Sequence, residues 1–247
     1  MTPNSTAVSA IANALDAAIR PLNILDHPLY QLWNHGELPR EVISLYARQY
    51  HHHVDAFPRY ISAIHSNCAD TAARQMLLEH LIEEESETAT KSSHPTLWRQ
   101  FATGLGDSLE AVEAERPLAN TSALVQLFFD KCRQSYAAGL GILYAYESQV
   151  PEVADFKIKA LQNFYNVQDA RTLSFFEVHR EADVHHRHEI ASLIAALSPA
   201  EQAEAEAAAV EGARALWQFL DGVAEAANLD LANMDLANMD MNCAVMQ

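Results

Sequence analysis

Apolar residues recur at three- and four-residue spacing along almost the whole chain, the pattern of amphipathic helices. It predicts a short opening helix over 6–20, closed by Pro21. The segment 21–39 carries Pro28, Gly36 and Pro39 and reads as a connector punctuated into turns. A long helix follows over 40–66, with a kink expected where Pro58 removes a backbone donor. Further helices are predicted over 70–90, 95–104, 107–114, 118–149, 152–166, 168–197 and 200–227, with Ser198-Pro199 dividing the last two. Nothing in this layout is a linker. Residues 1–227 read as a single all-α domain, a bundle of about seven to eight helices, and 228–247, with its repeated LANMD, as a low-complexity tail.

Composition points the same way. Only 7 of 247 residues are glycine, and all-β folds with many tight turns use more. Alanine and glutamate, strong helix formers, crowd stretches such as AEQAEAEAAAVEGARALW. Sixteen Lys+Arg against 33 Asp+Glu leave a net charge of −17, which opposes binding to nucleic acid or anionic membrane through phosphate contacts. No apolar run reaches the ~18–20 residues needed to cross a bilayer. The opening MTPNSTAVSAIANALDAAIR lacks the basic start of a secretory signal. Cys68, Cys132 and Cys243 are an odd count without CxxC, which suits a reducing compartment better than a disulfide framework. These features predict a cytoplasmic protein.

The chemistry concentrates in FFEVHREADVHHRHEIASLI. At about 100° per residue, His179, Asp183 and His186 fall within ~60° of one another on a helix. Leu173, Phe176, Ile190 and Leu193 continue that stripe and are all apolar. Three titratable groups in register on a core-facing stripe suggest metal ligands, although a lone core histidine is more often simply hydrogen-bonded. Glu147 ends the apolar stripe of Leu140 and Leu143. In the helix over 70–90, Leu77 and Leu81 set an inward face on which Glu84 falls next, while the rest of the EEESE run reads as solvated. His94 stands at a loop-to-helix junction, free to turn inward. Oxygen and nitrogen donors without thiolate favour iron or manganese over structural zinc, and six donors suit two ions. Glu-x-x-His, HExxH, GxSxG and GxxxxGK[ST] are absent; Asp183-x-x-His186 is the nearest echo of the ferritin-like pattern.

DHPLYQLWNHGEL, AFPRYISAIHS, LYAYESQVP and HREADVHHRHE resemble the chlamydial CADD proteins and their bacterial relatives, haem-oxygenase-like di-metal oxidases whose fold is shared with TenA and PqqC. The similarity runs from about residue 20 to 225. It implies an Fe/Fe or Mn/Fe pair, activation of O2 with an external reductant, a homodimer, and synthesis of para-aminobenzoate for folate from the protein's own side chains. Carried onto this chain, the ligands would be Glu84, His94, Glu147, His179, Asp183 and His186. Tyr30 would supply the ring, Lys157 the amino group, and Tyr146 would match a tyrosine near the metals. Two departures accompany the match. The loop from Glu84 to His94 is longer than the family's, leaving Glu85 and Glu87 as alternatives, and Phe175 replaces a tyrosine one turn before the first helical histidine. Without the resemblance, Lys157 reads as a surface lysine whose stem covers apolar neighbours, and Tyr30 as a core ring. The competing functions are oxidation of an external amino acid or fatty acid, a non-catalytic partner-binding role, and metal-free TenA-like chemistry.

Overall fold

Side-chain caps set where most helices begin. Asn4, Asp70, Ser93, Ser108, Ser135, Asp169 and Ser198 each accept a backbone N–H of the first turn, replacing donors that an isolated helix end leaves unpaired. The computed structural model describes residues 4–231, except for the side chains of residues 181–184. Those residues form eleven α-helices and two short 3₁₀ turns, with no strand among them. The helices are α1 (Ser5–Ile19), α2 (Pro28–Asn34), α3 (Arg40–Asn67), α4 (Thr71–Glu85), α5 (His94–Gly104), α6 (Leu109–Ala114), α7 (Ala119–Gln134), α8 (Tyr136–Glu147), α9 (Val150–Phe164), α10 (Ala170–Ala195) and α11 (Pro199–Ala226).

At the centre is α8, buried at every position from Ala137 to Glu147 and packed by α11, α7, α10 and α3. Its approach to α11 is closer than ordinary side chains allow. A Cβ on Gly141 would lie 1.9 Å from the carbonyl oxygen of Ala205, and one on Gly212 would lie 2.8 Å from Ile142. The alanine-rich face of α11 (Ala205, Ala208, Ala209, Ala213) is buried and makes this contact possible.

Three expectations change. The continuous apolar pattern over 118–149 is broken at Ser135, whose extended backbone (φ −158°, ψ 165°) separates α7 from α8 while its hydroxyl caps Ala138. The connector contains a helix, because Pro28 takes the first helical position, where its missing N–H is harmless, and His27 caps the turn through Nδ1. The helix expected to reach residue 90 stops at Glu85. By contrast α3 runs through Pro58 without interruption. The tail is described only as far as residue 231, so the expectation for 232–247 lies outside the described residues.

Candidate metal centre

Four helices direct acids and imidazoles to one place. On α4 the buried positions are Ala73, Leu77, His80 and Glu84. Glu147 ends α8, His94 begins α5, and α10 contributes His179 and His186. All six polar groups are at most 4% exposed.

They fall into two groups: His80, Glu147 and His186, and Glu84, His94 and His179, the donor atoms within each lying no more than 4.8 Å apart. Glu84 joins the groups. Its Oε2 is 2.8 Å from His94 Nδ1, while its Oε1 is 3.7 Å from His80 Nε2. His80 Nε2 is also 3.2 Å from Glu147 Oε1. The His80 and His186 rings are stacked, 3.8 Å between centroids.

Neighbouring acceptors orient two of the rings. Nδ1 of His179 donates to the carbonyl of Phe175 at 2.7 Å, which leaves Nε2 as its lone-pair nitrogen. Nε2 of His186 lies 2.9 Å from Glu83 Oε2, and its Nδ1 faces Glu147 at 3.8 Å. Carboxylate or carbonyl partners on the outer nitrogen are how metal-binding imidazoles are usually fixed.

The electrostatics suit cations. Burial would raise the carboxyl of Glu84, but His94 and His80 hold it well below its ordinary value. Glu147 is likewise brought down to about 2 against its burial, by His80 and His186. His80 is raised to about 9, its burial outweighed by Glu147 and Glu84. His179 is lowered to about 3 by burial and by His94. Nε2 of His80, Nδ1 of His94 and Oε2 of Glu147 are buried with no aligned hydrogen bond. Each such atom costs roughly 1–3 kcal/mol when unsatisfied, and divalent cations would satisfy all of them. The residues present therefore fit a pair of metal ions.

Beside the centre is an aromatic cage. Lys157 of α9 is buried, and its Nζ lies 3.3 Å from the ring centroid of Trp33, 3.8 Å from that of Tyr30 and 4.5 Å from that of Tyr46. Burial pushes its amine well below the ordinary lysine value. The hydroxyls of Tyr30 and Tyr46 are 2.7 Å apart. A cavity of about 20 Å³ is lined by Tyr30, Tyr46, Lys157, Tyr146 and Phe175 among others, and Phe175, which walls it off from the centre, stacks on His179 at 4.0 Å.

The structure thus brings five of the six expected ligand residues together, and the side chain of the sixth, Asp183 on α10, lies outside the described residues. Glu85 and Glu87 are exposed, and Glu87 is engaged by Ser93 and Thr96. Tyr146 is buried against Phe57 and His53. Sequence reasoning missed His80, Glu83, Trp33 and Tyr46. The spacing of His80 four residues before Glu84 was the available signal, but the inward face was phased on Leu81, which is only half-buried.

Comparison with known proteins agrees with this picture. The family described as iron-containing redox enzymes matches residues 44–221. The chain is 41% identical to the 4-aminobenzoate synthase of Chlamydia muridarum, covering 86% of this chain and 89% of that one. It is 38% identical to the 4-aminobenzoate synthase of Nitrosomonas europaea, covering 90% and 95%. Among solved structures, a TenA homologue from Pseudomonas syringae superposes with a TM-score of 0.73 at 18% identity, covering 87% of this chain and 93% of that one, a likeness of fold. No helix of the described residues is long and apolar enough to cross a membrane. A match across most of the helical body, together with relatives this similar over nearly their full length, means that the chain belongs to the family of haem-oxygenase-like, iron-containing redox enzymes.

Proposed function

We propose that this protein is an O2-dependent di-metal oxygenase that makes para-aminobenzoate for folate synthesis from its own Tyr30 and Lys157. Glu84, His94, Glu147, His179, Asp183 and His186 would hold an Fe/Fe or Mn/Fe pair. The observation that carries the reading is the cage. A narrow cavity beside the candidate centre is lined by Tyr30 and Lys157 themselves and has a volume of about 20 Å³. That is room for about one water-sized molecule, whereas sites for external ligands usually run to roughly 300–1,000 Å³. The space favours O2 over an amino acid or a fatty acid.

Bound metal would supply the oxidising power drawn from O2 and an external reductant. The protein supplies everything else. Rings from α2 and α3 exclude water around Lys157, and that desolvation, working against the attraction of the ring faces for an ammonium, favours its neutral form, the only form of an amine that is nucleophilic. The same packing holds the nitrogen over the Tyr30 ring, which turns a bimolecular encounter into a positioned one. Tyr46 keeps a hydrogen-bond partner 2.7 Å from the Tyr30 hydroxyl, so that oxygen is held and can exchange its proton. Relatives named 4-aminobenzoate synthase at 37–41% identity support the product. The reading includes a homodimer working in the cytoplasm, in keeping with Cys68 and Cys132, both buried and free.

The test is a peptide mass map of protein reduced with Fe(II), or Fe(II) plus Mn(II), before and after O2. The expected result is a mass loss confined to the Tyr30 peptide, para-aminobenzoate in the filtrate, and no product from Tyr30→Phe. Continued O2 consumption with Tyr30 intact, or unchanged product from Tyr30→Phe, would overturn the reading in favour of an external substrate.

A further inference from the structure

The ligand set implied by the resemblance does not include His80, yet His80 occupies the middle of the centre. It is 4% exposed and points Nε2 at two carboxylates, Glu147 Oε1 at 3.2 Å and Glu84 Oε1 at 3.7 Å. Neither contact has hydrogen-bond alignment, and Nε2 has no hydrogen-bond partner among the described residues. A histidine placed only to neutralise buried acids would be expected to aim an N–H along a lone pair of one of them. His80 instead aims between them, the position of a donor that shares an acceptor with its neighbours.

We propose that His80 is a metal ligand of this chain, which joins Glu147 and His186 in one site, the other site being built on Glu84, His94 and His179. The inference rests on the di-metal reading above and adds a residue to it. Three further observations carry it. Donor atoms of His80, Glu147 and His186 all lie within 4.8 Å of one another, close enough to share one ion. The His80 and His186 rings are stacked 3.8 Å apart and only 24° from parallel, so they enter the site side by side. Glu84 follows His80 by one helical turn and turns its other oxygen to His94; one carboxylate thus addresses both groups, as a bridging ligand does.

Among the described residues each group offers two imidazoles and one carboxylate, a donor set that suits non-haem iron(II), and Asp183 is the further carboxylate of the di-metal reading. Imidazole in place of a water leaves the charge of the site unchanged and makes its donor set richer in nitrogen. Its preference accordingly shifts toward imidazole-compatible metals such as iron rather than oxygen-seeking manganese.

The experiment loads the full chain anaerobically with Fe(II) and counts retained metal by elemental analysis and calorimetry. Wild type should retain two equivalents. His80→Asn should retain one tightly, with the second weakened by at least the ~10–100-fold loss seen when even outer partners of a metal site are removed. In His80→Gly, added imidazole should restore the second equivalent, which a purely structural histidine would not allow. Iron-edge anomalous diffraction from loaded wild type covers the case of variants that fail to fold. It should place an ion about 2.1 Å from His80 Nε2, an ordinary metal–imidazole bond length. Two unweakened equivalents in His80→Asn, or an ion beyond bonding distance of Nε2, overturns the assignment of His80 alone. Wild type that retains no metal overturns the di-metal reading itself.

Discussion

The amine of Lys157 sits 3.8 Å from the centroid of the Tyr30 ring, and no carboxylate among the described residues pairs with it. Of the four lysines, Lys131 and Lys159 do have such partners, in Glu211 and Asp155. A buried lysine without an acid is unfavourable unless it is neutral, and that condition makes its role measurable.

Burial lowers the Lys157 amine in the folded protein, while in the unfolded chain it titrates at about 10.4. Between the two values the unfolded state holds a proton that the folded state lacks, so this residue makes stability rise with pH. Lys157→Met should therefore be more stable than wild type at pH 7. The gain should shrink by about 1.4 kcal/mol per pH unit as pH approaches 10. Urea unfolding of both proteins at pH 7, 8 and 9 checks this; a constant difference would mean that Lys157 is charged in the fold.

Tyr46→Phe removes the partner of the Tyr30 hydroxyl. An unpaired buried hydroxyl should destabilise the protein by roughly 1–3 kcal/mol. Para-aminobenzoate yield should fall while Fe(II) content is unchanged, because Tyr46 is not among the grouped metal donors. Product assay and metal analysis on the same sample separate the two effects.

Glu83 is half-exposed and touches the centre through Nε2 of His186. Glu83→Ala should leave the helix content intact and weaken metal binding by about 10–100-fold, the usual result of removing a group that orients a ligand imidazole. Calorimetric titration with Fe(II) reads it directly, and unchanged affinity would show that His186 is positioned without Glu83.

Stripping the metals exposes a slope of opposite sign. In the metal-free fold His80 is raised to about 9, Glu147 outweighing its burial. Its contribution to stability is complete below the unfolded value near 6.5 and is lost as pH rises through 9. Chelator-treated wild type should lose this increment between pH 6.5 and 9, and His80→Asn should not. Metal affinity should rise over the same interval, since the incoming ion displaces a proton.

The legible parts of the site were those that broke a pattern. His179 and His186 interrupt an apolar stripe on α10, and Glu147 closes one on α8, so periodicity alone singled them out. On α4 the face set by Leu77 and Leu81 did find Glu84, and Leu77 and Glu84 are buried. His80, on that same face one turn before Glu84, was passed over because only the apolar residues and the acid run were followed. Ser135 was hidden for another reason: the residues on both sides are apolar, and one extended residue leaves no mark on composition. Trp33, Tyr46 and Lys157 come from α2, α3 and α9, and only tertiary packing reveals that their rings and amine share a space. The all-helical architecture needed none of this detail, since helical spacing and scarce glycine run through the entire chain.

The end of α8 that meets the candidate centre is its C-terminal one. A helix stopping at Glu147 presents its carbonyl end there, carrying about half a negative elementary charge from its aligned peptide dipoles. Because α8 is buried throughout, solvent screens that field weakly. The backbone itself is therefore part of the attraction for a cation. Glu147→Gln should for that reason retain a measurable residue of metal affinity, supplied by the peptide groups of the helix behind it.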